Sequence, residues 1–327
     1  MLWVGTYEAK GGQGLYPVAC SPAGRIEVGE PERRIANASF AAWCPRTRTA
    51  YFVNELDEGR VSAWGHVNGT WHPRGTQPTG GQLPCYVSLA PSGRYLAVAN
   101  YGDGSVALFA RDFATGSLGD QLAVRRAFGH GPNPERQDGP HAHCALFSED
   151  GATLFHVDLG ADHVFAYPIA ESSLGEPQVA FTAPPASGPR HLLLLPGRAR
   201  ALLSCELSAE LLLLERDGPR FQTLHTVKTA PSPEPADNLG GHLGLAPNGD
   251  VLVTNRGHDS LARFALTGDR LEPRECTATG GSSPRHFHIG PVGTLIAHEE
   301  SGTLALIGPA GTTTAELPGA AFILSVD

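Results

Sequence analysis

Short apolar runs, each cut off by glycine, proline or a small polar turn, recur along the whole chain, as in CYVSLAPSGRYLAVANYGDGSVALFARD. Apolar positions at helical spacing are scarce, while 40 glycines and 27 prolines punctuate the runs, so the pattern predicts many short strands and little helix. Four further segments align with the first: AHCALFSEDGATLFHVDLGADHVFAYPI, RHLLLLPGRARALLSCELSAELLLLERD, GHLGLAPNGDVLVTNRGHDSLARFAL and RHFHIGPVGTLIAHEESGTLALIG. A weaker copy, FAAWCPRTRTAYFVNELDEGRVSAWGH, precedes them. Their turn positions (Pro45, Pro91, Glu149, Pro196, Pro247, Pro291) recur at intervals of about fifty residues, the spacing of four-stranded propeller blades.

A seventh unit is split. LWVGTYEAKGGQGLYPV supplies strands at the front of the chain, with Gly11, Gly12 and Gly14 in its hairpin turn, and AAFILSV supplies one at the back. The expected fold is therefore all-β, a seven-bladed β-propeller of four-stranded antiparallel blades, with residues 1–327 as one domain. Pairing of the N- and C-terminal strands closes the ring and removes free sheet edges.

Aligned repeats turn the sequence into a map, because the start of a blade's first strand and the end of its antiparallel second strand share one mouth of the propeller. The first position holds Ser39, Cys85, His143, Arg190, Gly241 and Arg285. The second holds Asn54-Glu55, Asn100-Tyr101, Asp158-Leu159, Cys205-Glu206, Asn255-Arg256 and Glu299-Glu300. Charges in a packed core are costly unless paired, so this polar excess points to a small-molecule pocket. His141 and His143, two apart at the start of a strand, are expected to face that mouth together.

The formal net charge of −9 disfavours nucleic acid and anionic membrane surfaces as partners. An anionic ligand must then meet local arginines; 24 basic residues include only Lys10 and Lys228, which leaves 22 arginines. The start MLWVGTYEAK has no basic segment followed by a long apolar one, and no run approaches a membrane span, so a cytoplasmic protein is expected. Six scattered cysteines without a C-x-x-C pair are read as free thiols. The H-x-H pairs at His141/His143 and His286/His288 have metal-ligand spacing, but no third ligand follows and arginines crowd the same mouth, so no metal is expected. No G-x-S-x-G elbow and no G-x-G-x-x-G between strand and helix occurs, which sets aside a serine hydrolase of that type and a bound dinucleotide.

The motifs VGTY, VANYGDGSV, PNPERQDGPHAH, VDLGADHVFAY, GPRHL, CELS and NRGHDS, in this order from Leu2 to Ile307, resemble the seven-bladed propeller lactonases. That group includes the propeller type of 6-phosphogluconolactonase and the related 3-carboxy-cis,cis-muconate lactonizing enzymes. The resemblance implies a catalytic group of His143, Glu206, Arg190 and Arg256, all four of which lie in the polar columns. His141, Arg285, Asn100, Tyr101 and Asp158 are added as substrate-binding residues, with Asp158 also able to brace the next turn. The chain departs from the family at GGHLG and at HEES, where His298, Glu299 and Glu300 bring acids toward an anion site.

Opening a lactone needs an activated water and donors for the oxyanion. A neutral histidine suits the first and arginine forks the second, with no cofactor. The expected activity is hydrolysis of a small anionic sugar lactone by a monomer or weak homodimer. The alternatives are a carboxymuconate-type cycloisomerase, which would use the same residues, and a non-catalytic scaffold, which would display anchors on broad outer surfaces instead.

Overall fold

The computed structural model describes residues 1–170 and 172–326. Among the described residues, all regular structure is strand except one short 3-10 turn, Glu8–Lys10, inside the glycine-rich hairpin. The strands form seven antiparallel sheets, six of four strands and one of five, and each sheet is built from consecutive segments apart from the one that joins the chain ends. This is the all-β, seven-bladed fold that the repeats predicted.

Middle strands read as unbroken apolar runs because neighbours cover both of their faces: Tyr95–Asn100 is buried at five of six positions and Ser105–Arg111 at six of seven. Outermost strands show the opposite, with Thr70–Pro78 buried only at Trp71. The outermost strand of such a sheet thus turns most of its positions to water, while the middle strands, covered on both faces, show no period-two alternation.

The chain divides into two compact units, Ser39–Arg200 with Glu215–Gln222, and Met1–Ala38 with Ala201–Leu214 and Thr223–Asp327. In the first, Tyr51, Val53 and Val61 pack against Val87, Leu96 and Phe109. Ala97, Ala99 and Leu108 then meet Ala145, Leu154 and Phe165. Alanine on one side lets bulky rings on the other fill the gap between sheets.

In the second unit, Leu2–Thr6 lies between Leu15–Cys20 and Ala320–Ser325, with Val4 opposite Ile323. The two ends of the chain thus complete one sheet, as the split repeat required. Val4 and Ile323 are buried with Leu295, Leu304 and Leu306 of the preceding sheet, so the last strand is held by side chains as well as by its ladder.

Truncating Ile323 to alanine leaves a cavity in this cluster and is expected to lower unfolding free energy by about 3 kcal/mol in urea titrations. Removing residues 320–327 exposes the edge of Leu2–Thr6, and light scattering should show aggregation that the full chain does not.

Candidate active site

The polar column at the start of the first strands coincides with an irregularity of the backbone. Pro84 pairs with Asn100 and Tyr86 with Ala99, which leaves Cys85 as an extra residue. Ala142 pairs with Asp158 and Cys144 with Val157, leaving His143. Pro284 pairs with His298 and His286 with Ala297, leaving Arg285. The same shift falls between Gly240 and Leu243, and between Gly5 and Thr6 opposite Ala321. A β-bulge of this kind twists the strand and turns one side chain out of the regular alternation. It also re-registers the last repeat: His298, not Glu299, ends the second strand, Glu299 follows it as Tyr101 follows Asn100, and Glu300 falls in the turn.

In the unit containing residues 39–200, the bulge at His143 gathers a cluster of rings. The Tyr101 ring stacks on His141 with centroids 4.7 Å apart and meets His143 edge-on at 5.6 Å. His191 approaches His143 at 5.5 Å and Tyr86 at 5.4 Å, both edge-on. Arg190, only 3% exposed, lays Nη1 3.0 Å from His191 Nε2. His143 Nδ1 faces the Cys85 thiol at 3.8 Å. Burial pushes the Tyr86 phenol well above its ordinary value and the Cys144 thiol to about 11, so both stay protonated at neutral pH. A water-poor lining of neutral groups around an imidazole and a guanidinium results.

His141 sits just before the strand. Its Nδ1 donates to the Tyr101 carbonyl at 2.9 Å and its Nε2 faces Asp138 Oδ1 at 3.2 Å, which fixes the ring as part of the wall. Asp158 and Asn100, expected to touch substrate, are 0% exposed. Asp158 accepts from the backbone N–H of His141 at 2.9 Å and of Ala161 at 2.8 Å, and its other oxygen meets His156 at 3.1 Å. Asn100 donates to Ser105 Oγ at 3.0 Å across the following turn. Both are braces that hold the strand ends in place.

In the other unit, Glu206 and Arg256 form a buried ion pair of 2.6 Å, and Arg256 Nη2 also donates to the Gly240 carbonyl at 3.0 Å. Gly240 is needed there, since a Cβ would lie 2.7 Å from the Cys205 carbonyl oxygen. Arg285 is bound to Glu299 at 2.9 Å and lies 5.2 Å over the Tyr7 ring, while Glu300 bonds Lys10 at 2.6 Å. The family-divergent acids are thus occupied by cations, and Arg285, expected to bind substrate, carries a carboxylate. His242 and His286, each one residue past the bulge column, bring their ring centroids to 3.9 Å. All six cysteines are free thiols, and among the described residues no group of three or more His, Cys, Asp or Glu is placed to hold a metal ion.

Sequence reasoning passed over Tyr86 and His191. A signal existed: the next column reads Phe40, Tyr86, Cys144, His191, His242 and His286, ring-bearing at five of six positions. The bulge makes that column a second lining position, where strict alternation would turn it away.

Burial holds the fully enclosed His298 below its ordinary pKa, against the opposing pull of the Thr303 backbone and Asp259. The folded chain keeps this ring neutral while the unfolded chain takes up a proton near pH ~6.5. Its contribution is complete above that pH and is lost as pH falls toward the folded-state value. Urea midpoints at pH 7.5 and 5.5 should differ less for His298→Leu than for the wild type; an equal difference would remove His298 from the acid sensitivity.

A family model described as "Lactonase, 7-bladed beta-propeller" matches residues 1–314. The chain is 30% identical over 320 residues to a 6-phosphogluconolactonase of Bacillus subtilis, covering 93% of this chain and 89% of that one. Among solved structures, a periplasmic gluconolactonase of Pseudomonas aeruginosa is similar at 29% identity and a TM-score of 0.88, covering 100% of this chain and 99% of that one. A putative 6-phosphogluconolactonase of Bacteroides fragilis is similar at 27% identity and the same TM-score, covering 100% and 97%.

Proposed function

Because the chain belongs to the seven-bladed β-propeller lactonases, and is a lactone hydrolase on that ground, we propose that its substrate is a small anionic sugar lactone, 6-phospho-D-glucono-1,5-lactone, opened to 6-phosphogluconate in the pentose phosphate pathway. The observation that carries the chemistry is the buried cluster of His143, Arg190, His191 and Tyr101. In this reading neutral His143 takes a proton from the attacking water, and Arg190 donates to the oxyanion that forms on the lactone carbonyl. When the intermediate collapses, the ring oxygen leaves and His143 returns the proton to it. Both charges develop in a low-dielectric lining, where a fixed guanidinium acts more strongly than in water.

The family resemblance adds Glu206 and Arg256 to the catalytic group, and this part of the proposal rests on the resemblance. The reading needs no cofactor. It includes a cytoplasmic monomer or weak homodimer; among the described residues no helix is long and apolar enough to cross a membrane. A second reading, an unphosphorylated lactone, draws support from the Arg285–Glu299 pair, which occupies one of the cations expected to meet a phosphate.

The test follows loss of freshly made lactone at a pH where spontaneous opening is slow. His143→Ala is expected to lower the enzymatic rate by about 10²–10⁴-fold, and Arg190→Ala by about 10²–10³-fold. Glu206→Gln, which leaves Arg256 without its charge partner, is expected to lower both rate and thermal stability. Wild-type protein no faster than buffer on phosphorylated and unphosphorylated lactones would end the reading.

A further inference from the structure

Arg190 is the second residue of the strand Pro189–Leu194, so the backbone that enters this strand decides where its guanidinium lies. Residues 183–188 make that entry without a strand of their own, and Pro184, Pro185 and Ala186 are exposed. One carboxylate spans the segment. Asp162, 5% exposed, accepts from the Gly188 N–H at Oδ1 and from the Ala186 N–H at Oδ2, both at 2.8 Å. Its own carbonyl accepts from the Ala183 N–H at 2.9 Å. Ala186 has φ at 60°, a left-handed conformation that is costly for a residue with a Cβ, and its bond to the carboxylate holds it there.

Asp162 ends the turn that leads into the strand His163–Ala170. The matching position before Leu15, Arg60, Ser105, Glu210, Ser260 and Thr303 holds Gly14, Gly59, Gly104, Ala209, Asp259 and Gly302. The carbonyls of Gly59, Gly104, Ala209 and Gly302 accept a backbone bond just as that of Asp162 does, so the turn itself needs no carboxylate. The two aspartates instead fall where the next first strand carries an arginine in the column read from the repeats: Arg190 after Asp162, and Arg285 after Asp259.

The register of the bond is the same in both. Asp162 Oδ1 takes the amide of Gly188, two residues before Arg190, and Asp259 Oδ1 takes that of Ser283 at 2.7 Å, two residues before Arg285. Ser283, like Ala186, stands at positive φ, here 59°. Where the column holds Cys85, the amide two residues earlier, that of Leu83, goes to the Leu56 backbone carbonyl instead. A carboxylate makes a shorter and stronger bond to an N–H than a carbonyl does, and with two oxygens it can hold two amides at once. That stiffness matters most for a group whose displacement by 1 Å can cost about 10²-fold in rate.

We propose that Asp162 is the positioning residue for Arg190, fixing the backbone of residues 186–188 with its carboxylate and thereby aiming the guanidinium. The proposal rests on the lactonase reading for what Arg190 does to a substrate; where Arg190 points does not depend on that reading.

The test centres on Asp162→Gly, which removes the carboxylate and leaves the residue that Gly59, Gly104 and Gly302 already supply at this turn, with positive φ freely available. With whichever of 6-phosphogluconolactone and gluconolactone the wild type opens, Asp162→Gly should lower kcat by about 10- to 100-fold with little change in KM. Asp162→Asn, which keeps one acceptor oxygen, should fall between. In an Arg190→Ala background, Asp162→Gly should cost little more, because the group it aims is gone. An unchanged kcat, or the same fold-loss in both backgrounds, overturns the assignment. Nitrogen-15 spectra need no turnover: the Arg190 Nε–H signal, identified by its loss in Arg190→Ala, should stand apart from those of exposed arginines and move toward them in Asp162→Gly. A signal that does not move likewise overturns it. Should Asp162→Gly fail to unfold cooperatively in urea, Asp162→Asn carries both measurements, and wild-type kcat with an unmoved signal in that variant overturns the assignment. Wild type that opens neither lactone, with a signal that moves as expected, would end the lactonase reading and leave the positioning of Arg190 standing.

Discussion

One extra residue, placed at the start of a strand that otherwise pairs in register, is the constraint from which the candidate site follows. A sheet buried on both faces has no outlet for a polar side chain, and a charged one left inside without partners would be costly. At Cys85, His143 and Arg285 the bulge supplies the outlet without ending the strand, because two residues oppose one and the second resumes the ladder. The repetition of the device matters as much as the device. Each sheet that uses it delivers a side chain from a stiff strand; Tyr86, His143, Arg190 and His191 are held by the sheets, while Tyr101 and His141 stand just outside the strand ends.

The fold was readable because its units are nearly alike. Repeated glycine and proline turns set the strand boundaries, and the split first sheet followed from counting strands at both ends. The columns singled out His143, Arg190, Glu206 and Arg256 because these are polar interruptions of apolar runs. Where the reading went astray, the cause was local geometry. Asn100 and Asp158 interrupt the same runs but spend their side chains on neighbouring backbone and hydroxyl groups. In the last repeat the fully buried His298 passes for an interruption, and it shifted the alignment by one residue toward Glu299 and Glu300. His191 stayed hidden because period-two reasoning sends it to the opposite face from Arg190, whereas the two touch.

Two kinds of contact hold the column arginines. In one, Glu206–Arg256 and Arg285–Glu299 are cations already matched by carboxylates, positioned and largely neutralised before any ligand arrives. In the other, Arg190 lies against the His191 imidazole.

The joining of Leu2–Thr6 with Ala320–Ser325 also has a consequence for how the protein is made. Sheets assembled from consecutive strands can form as they leave the ribosome, but this one waits for a partner more than three hundred residues downstream. Until that strand emerges, Leu2–Thr6 keeps an open, apolar edge. Synthesis thus has a period of vulnerability that lasts until residues 320–325 have been translated, and a ribosome stalled before residue 320 would release a chain in which Leu2–Thr6 has nothing to close it.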